Sequence, residues 1–143
     1  MRTMTSFTRR ALLAASSLCL APLRHARAQA WPSRPVTIIV AYPPGGATDI
    51  VGRLIAEGLR GRLGQPVVVD NRPAGGATVG MAQAARAVAD GQTLVIGNGH
   101  TLAINPFVYS DPGYVPTRDF TPISLVCSTQ NLLVVHPSLP VEA

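Results

Sequence analysis

A chain of 143 residues has room for one domain, and its formal charge of +5 does not make it a nucleic-acid or membrane-surface binder. Arg2, Arg9, Arg10, Arg24 and Arg27 all precede Trp31, and from there on seven arginines face seven acids, which leaves no basic stripe for a phosphate backbone and no cationic helix for a lipid surface. The chain contains no lysine, which excludes a Walker-type phosphate loop, a Schiff base and a lysine general base.

The first segment reads as an address. Met1 to Arg10 carries three arginines and no acid, Ala11 to Pro22 is mostly apolar but too short to span a bilayer, and small-residue sites follow at Ala26-Arg27-Ala28 and Ala28-Gln29-Ala30. That pattern is a secretory signal peptide over residues 1–30, cleaved near Ala28 or Ala30, and the expected destination is the periplasm. Thr8-Arg9-Arg10-Ala11-Leu12-Leu13 also resembles a twin-arginine export signal. Cys19 follows Ser-Ser-Leu, where a lipoprotein signal wants a small residue, so no lipid anchor is expected there. Cys127, beside a Leu/Val run, is expected to be a small buried apolar residue.

After the lead-in Trp31 to Pro35, the run Val36 to Ala41 is apolar without alternation, which predicts a strand buried on both faces. The turn Tyr42 to Thr48 contains two prolines and two glycines, and a helix is predicted from near Asp49, with Thr48 as N-cap and Gly64 as its stop. Ile50, Val51, Leu54, Ile55, Leu59 and Leu63 recur at helical spacing and form the expected sheet-facing stripe. A second unit follows: strand Val67 to Val69, the connection through Asn71 and Arg72, and a helix from about Val79 to Ala89 whose Gly80, Ala84 and Ala87 would let it lie close to its neighbours. Gly-Gly-Ala-Thr stands in both connections, at Gly45 to Thr48 and Gly75 to Thr78. Thr93 to Gly97 is the third strand, ending in Asn98-Gly99-His100-Thr101. Three strands joined by two helices predict an open, mainly parallel α/β sheet flanked by helices, with right-handed crossovers. Beyond Thr101, Leu102 to Asn105 is expected as one helical turn and Pro106 to Arg118 as an ordered surface loop, before two strand-like runs at Thr121 to Val126 and Leu132 to His136.

A glycine-rich turn between strand and helix leaves backbone N–H groups pointing outward at the positive end of the helix dipole, a setting that favours a carboxylate or phosphate. Such turns also serve merely to make a corner. Two of them at the same edge of one parallel sheet favour the ligand reading, because that edge is where such folds bind. Enzyme signatures are missing: there is no G-x-G-x-x-G, no G-x-S-x-G elbow and no close His or Cys pairing for zinc. His100 lies at a strand's carboxyl end, yet nothing near it in sequence orients it as a base, and Asp49 suits a helix start for the dipole alone. No cofactor, metal or nucleic-acid partner is expected.

Trp31-Pro32-Ser33-Arg34-Pro35-Val36, Tyr42-Pro43-Pro44-Gly45-Gly46 with Asp49, Leu63 to Pro73 with Gly75-Gly76, Asp90-Gly91-Gln92-Thr93-Leu94, Asn105-Pro106 and Asp119-Phe120-Thr121-Pro122 together resemble the Bug family, the substrate-binding proteins of tripartite tricarboxylate transporters. The resemblance implies an extracytoplasmic receptor without catalysis, built as two α/β lobes of the type II periplasmic binding protein kind, which grips a small di- or tricarboxylate and delivers it to a membrane permease. On this chain it implies lobe 1 over residues 31–127, with the hinge strand and the start of a truncated second lobe over 128–143. Carried over by position, the ligand-binding residues are Tyr42, Pro44, Gly45, Gly46, Ala47, Thr48 and Asp49 in the first turn, Gly75, Gly76, Ala77 and Thr78 in the second, and Gly99, His100 and Thr101 in the third. Family members are about twice as long, so a lobe of an α/β enzyme acting on a carboxylated substrate, or a non-functional truncated product, are the alternatives.

Overall fold

The computed structural model describes residues 30–130, 134–136 and 138–139. The expected leader, apart from Ala30, lies outside them, as do Leu132 and Leu133 of the last expected strand. In chain order the elements are β1 (Val36–Val40), α1 (Ala47–Leu63), β2 (Val67–Asn71), a 3-10 turn (Gly75–Ala77), α2 (Thr78–Ala85), β3 (Thr93–Ile96), a π-helical turn (His100–Ile104), α3 (Asn105–Val108) and α4 (Pro116–Asp119). No helix among the described residues is long and apolar enough to cross a membrane.

The sheet has the order β2-β1-β3 with both pairs parallel, and Ile38 stands opposite Val69 on one side and Leu94 on the other. Because side chains alternate along a strand, Val36, Ile38 and Val40 of β1 face one way, against Ala56, Ile55 and Leu59 of α1. Ala41 faces the other way, into a second cluster with Met81 and Ala82 of α2, Val95 of β3 and Tyr114. The central strand is therefore buried on both faces, as its unbroken apolar run predicts. The chain moves from β1 to β2 on one side and then across to β3 on the other, so the strand order reverses between β1 and β3.

Several local expectations are corrected. Gly46, in extended backbone (φ −78°, ψ 167°), is the N-cap of α1 with no side-chain cap, and Thr48 sits inside the first turn instead. Of the expected stripe of α1, Ile55, Leu59 and Leu63 do pack on the sheet, but Ile50 and Leu54 are exposed, and the fully buried positions of the helix are Asp49, Gly52 and Ala56. The helix lies so close at Gly52 that a Cβ there would come within 3.1 Å of Val40 and 3.2 Å of Ile96, and this close crossing leaves Ile50 and Leu54 on the outer side of the helix. Helix α2 ends at Ala85 rather than Ala89. The next loop is tied down at Asp90, whose carboxylate meets Arg34 at 2.8 Å and whose carbonyl accepts from Trp31 Nε1 at 3.1 Å. The expected surface loop includes α3 and α4, each with proline in its first turn, a position where the missing N–H costs nothing.

Thr121 to Val126 forms no strand and is exposed throughout. A strand needs a partner for its N–H and C=O groups, and none of the three strands pairs with it. Cys127 is consequently exposed rather than buried. Val134 to His136 also lacks strand structure.

Candidate functional site

Because β1, β2 and β3 are parallel, the connections that follow them emerge at one edge of the sheet, and the strand order reverses there between β1 and β3, the place where open sheets of this kind bind ligands. The three connections carry the residues singled out from the sequence.

The first is held from beneath by Asp49. Its carboxylate is buried, and its Oδ2 accepts from the Gly45 N–H at 2.8 Å and from Arg53 Nε at 2.9 Å. Its Oδ1 accepts from Asn71 Nδ2 at 2.9 Å. Hydrogen bonding from Arg53 first, then from Gly45 and Asn71, lowers its pKa to about 2, so it is an anion at any working pH. The Gly45 N–H is thereby taken up inside the protein. Gly45 itself has φ 84°, a conformation that favours glycine. With no side chain capping α1, the N–H groups at its start remain the donors the turn can offer outward, and Tyr42 to Ala47 are exposed or half-buried.

The second connection winds through three successive left-handed residues, Gly75, Gly76 and Ala77, at φ 56°, 62° and 72°. The Thr78 hydroxyl donates back to the Gly75 carbonyl at 2.7 Å. Arg72 is tied to Asp70 at 2.6 Å and to Gln83 at 2.8 Å, which engages it within its own segment.

In the third, Asn98 is the organising residue. Its Oδ1 accepts from the Tyr42 hydroxyl and from the Thr101 N–H, both at 3.1 Å, and its own N–H donates to Thr101 Oγ1 at 3.0 Å. Thr101 is wholly buried, and its carbonyl accepts from the Tyr114 hydroxyl. Burial pushes the Tyr114 pKa up, which keeps that phenol protonated as a donor. Gly99 and His100 are exposed, and His100 Nδ1 lies 3.4 Å from the Tyr42 hydroxyl.

Tyr42, Asn98 and His100 thus bring the ends of β1 and β3 together across the strand-order reversal. Asp49 and Thr101 lie buried beneath the turns and hold them from within the protein. Asn71, Asn98 and Arg53 were not among the residues singled out from the sequence; the available signal was an amide side chain at or just beyond the end of both β2 and β3. A cavity of about 330 Å³ between Thr78, Gln83, Arg86 and Asp111, and one of about 520 Å³ beside Arg60 and Val68, lie away from the Tyr42–His100 junction. No cluster of His, Cys, Asp and Glu suited to a metal ion occurs among the described residues.

This architecture has relatives. A UPF0065 protein encoded between tcbD and tcbE in Pseudomonas sp. strain P51 is 40% identical over 129 residues, covering 89% of this chain and 38% of the relative. Protein BugT of Bordetella pertussis is 37% identical over 117 residues, covering 81% of this chain and 36% of its own. Among solved structures, MatC from Rhodopseudomonas palustris with bound malate superposes with a TM-score of 0.65 at 36% identity, over 67% of this chain and 33% of that one. R. palustris Rpa4515 with adipate gives 0.61 at 42% identity, over 65% and 31%. The chain thus spans a little over a third of the length of the curated relatives it matches. The sequence profile described as tripartite tricarboxylate transporter family receptor matches residues 51–143, and with these relatives this establishes that the chain belongs to the tripartite tricarboxylate transporter receptor family.

Proposed function

We propose that this chain carries the first lobe of an extracytoplasmic solute-binding protein, which takes up a small di- or tricarboxylate and presents it to a membrane permease without transforming it. The observation that carries the reading is the convergence of three glycine-bearing connections at one sheet edge, joined across the strand-order reversal by Tyr42, Asn98 and His100. Family members are binding proteins, and the solved relatives include one with malate and one with adipate. On this reading the donors are the N–H groups at the start of α1 with Thr48, and Gly99 and His100 from the third connection. The turn Gly75 to Thr78 contributes its backbone, and Asp49 and Thr101 hold their turns from within. Residues 31–127 make the lobe, 128–143 lead towards the second, and residues 1–30 direct export to the periplasm.

Calorimetric titration of the exported protein with L-malate and adipate, combined with sequencing of its N-terminus, tests the proposal. Saturable heat without turnover, and a chain beginning at Gln29 or Trp31, are expected. Turnover of a carboxylated substrate would replace the receptor by an enzyme lobe, and an uncut chain retained in the cytoplasm would remove the export step.

A further inference from the structure

The third connection grips the second at a point that ligand contact does not explain. Asn105, at the head of α3, is wholly buried, and its Nδ2 donates to the Gly76 carbonyl at 2.9 Å across 29 positions of sequence. Its Oδ1 is equally enclosed and has no hydrogen-bond partner among the described residues. Tyr109, just past α3, fills the space that a side chain on Gly76 would need.

A buried amide with one end unpaired is a poor choice for stability alone, because the orphaned oxygen has lost water without replacement. What the amide does supply is a fixed link between two turns. The second turn needs one: it runs through three left-handed residues, and Ala77 at φ 72° adopts a conformation that costs a residue with a Cβ and persists only where its surroundings impose it. The π-helical turn His100–Ile104 precedes Asn105 directly. Holding Gly76 therefore also fixes that turn relative to Gly99 and His100.

We infer that Asn105 is a positioning residue that sets the spacing between the second and third connections, so that the site measures the separation of the two carboxylates of a dicarboxylate. The inference rests on the carboxylate-binding reading above. It assigns to Asn105 no contact with the ligand.

The test compares adipate with hexanoate, which has the same six-carbon chain but a single carboxylate, on the whole exported protein and on Asn105→Asp and Asn105→Ala. The aspartate variant sets an oxygen against the Gly76 carbonyl; the alanine variant deletes the orphaned oxygen too and carries the comparison should the first not fold. In both, the preference for adipate over hexanoate is expected to shrink by about tenfold, and amide exchange across Gly75 to Val79 to accelerate by a similar factor. A variant that had merely lost stability would bind both acids more weakly and keep their ratio. An unchanged ratio in both variants, with wild-type binding intact, overturns the assignment of Asn105 alone. Wild-type protein that binds neither acid overturns the carboxylate reading and the spacing role with it.

Discussion

Asn71 donates through Nδ2 to the Asp49 carboxylate at 2.9 Å, and through Oδ1 it accepts from Arg53 Nη2 at 3.2 Å. One amide at the end of β2 thus holds both members of the Asp49–Arg53 ion pair in the first two turns of α1. The same Nδ2 donates to the Tyr42 carbonyl at 3.1 Å, which ties the pair to the turn it supports.

Acid should loosen this arrangement first. The Asp49 pKa stands at about 2 against an ordinary 3.8, so the folded state binds this proton less readily than the unfolded chain. Its contribution to stability is complete above about pH 4 and disappears as pH falls towards 2. Asp90, lowered by the Gln92 N–H and then Arg34, and Asp119, lowered by Arg118 and then the Val115 N–H, act in the same direction. Denaturant midpoints measured from pH 6 to pH 2 should fall steeply below pH 4, and Asp49→Asn should flatten part of that fall. An identical slope in the variant would show that Asp49 is not the group being titrated.

The two glycines of the first turn should respond differently. At Gly46, φ is −78° and an added Cβ would meet only the Pro43 carbonyl, at an ordinary 3.7 Å. Gly46→Val is therefore expected to fold normally while cutting carboxylate affinity about tenfold, by placing bulk at the helix-start donors. Gly45→Pro faces φ 84° and also removes the N–H that Asp49 accepts, so it should lower the thermal midpoint as well. Paired calorimetry and thermal melts distinguish the two, and equal melts for both would contradict the placement of Gly45.

Helix glycines sort in the same way. A Cβ on Gly80 would stand 2.8 Å from the Ala41 Cβ and 2.9 Å from the Arg72 carbonyl oxygen, so Gly80→Ala should destabilise by about 1–3 kcal/mol. Gly58 lies exposed in α1 with nothing within 4 Å, and Gly58→Ala should stabilise by about 0.5–1 kcal/mol. Chemical denaturation of the two variants gives opposite signs if α2 lies as close to β1 as described.

Apolar surface on the outer connections should make residues 31–143 self-associate. Phe107, Ile123 and Leu125 are 89%, 80% and 86% exposed, and among the described residues β3 pairs with β1 alone, which leaves a strand edge of the kind that invites further pairing. Sedimentation at increasing concentration should reveal larger species, and Ile123→Lys with Leu125→Lys should suppress them. A wild-type chain that stays monomeric at every concentration, or a double variant that associates as readily, would contradict this reading.

The strands, their parallel order of connection and the three turns were legible in the sequence because their causes are local: β-branched runs, proline before a helix start, and glycine where φ turns positive. The resemblance carried by Tyr42 to Asp49 and by Gly75-Gly76 then named the family. Only the tertiary structure decided which way side chains face. The approach of α1 at Gly52 leaves Ile50 and Leu54 outward and Asp49 buried, although the apolar periodicity grouped those two with Ile55, Leu59 and Leu63, which do face the sheet. Thr121 to Val126 has strand composition but no strand to pair with, and composition cannot supply a partner. Asn71, Asn98 and Asn105 reach Asp49, Tyr42 and Gly76 across 22, 56 and 29 residues. An amide side chain pairs as readily with water as with any of these groups, so its partner is fixed only once the register of the sheet has brought the strand ends together.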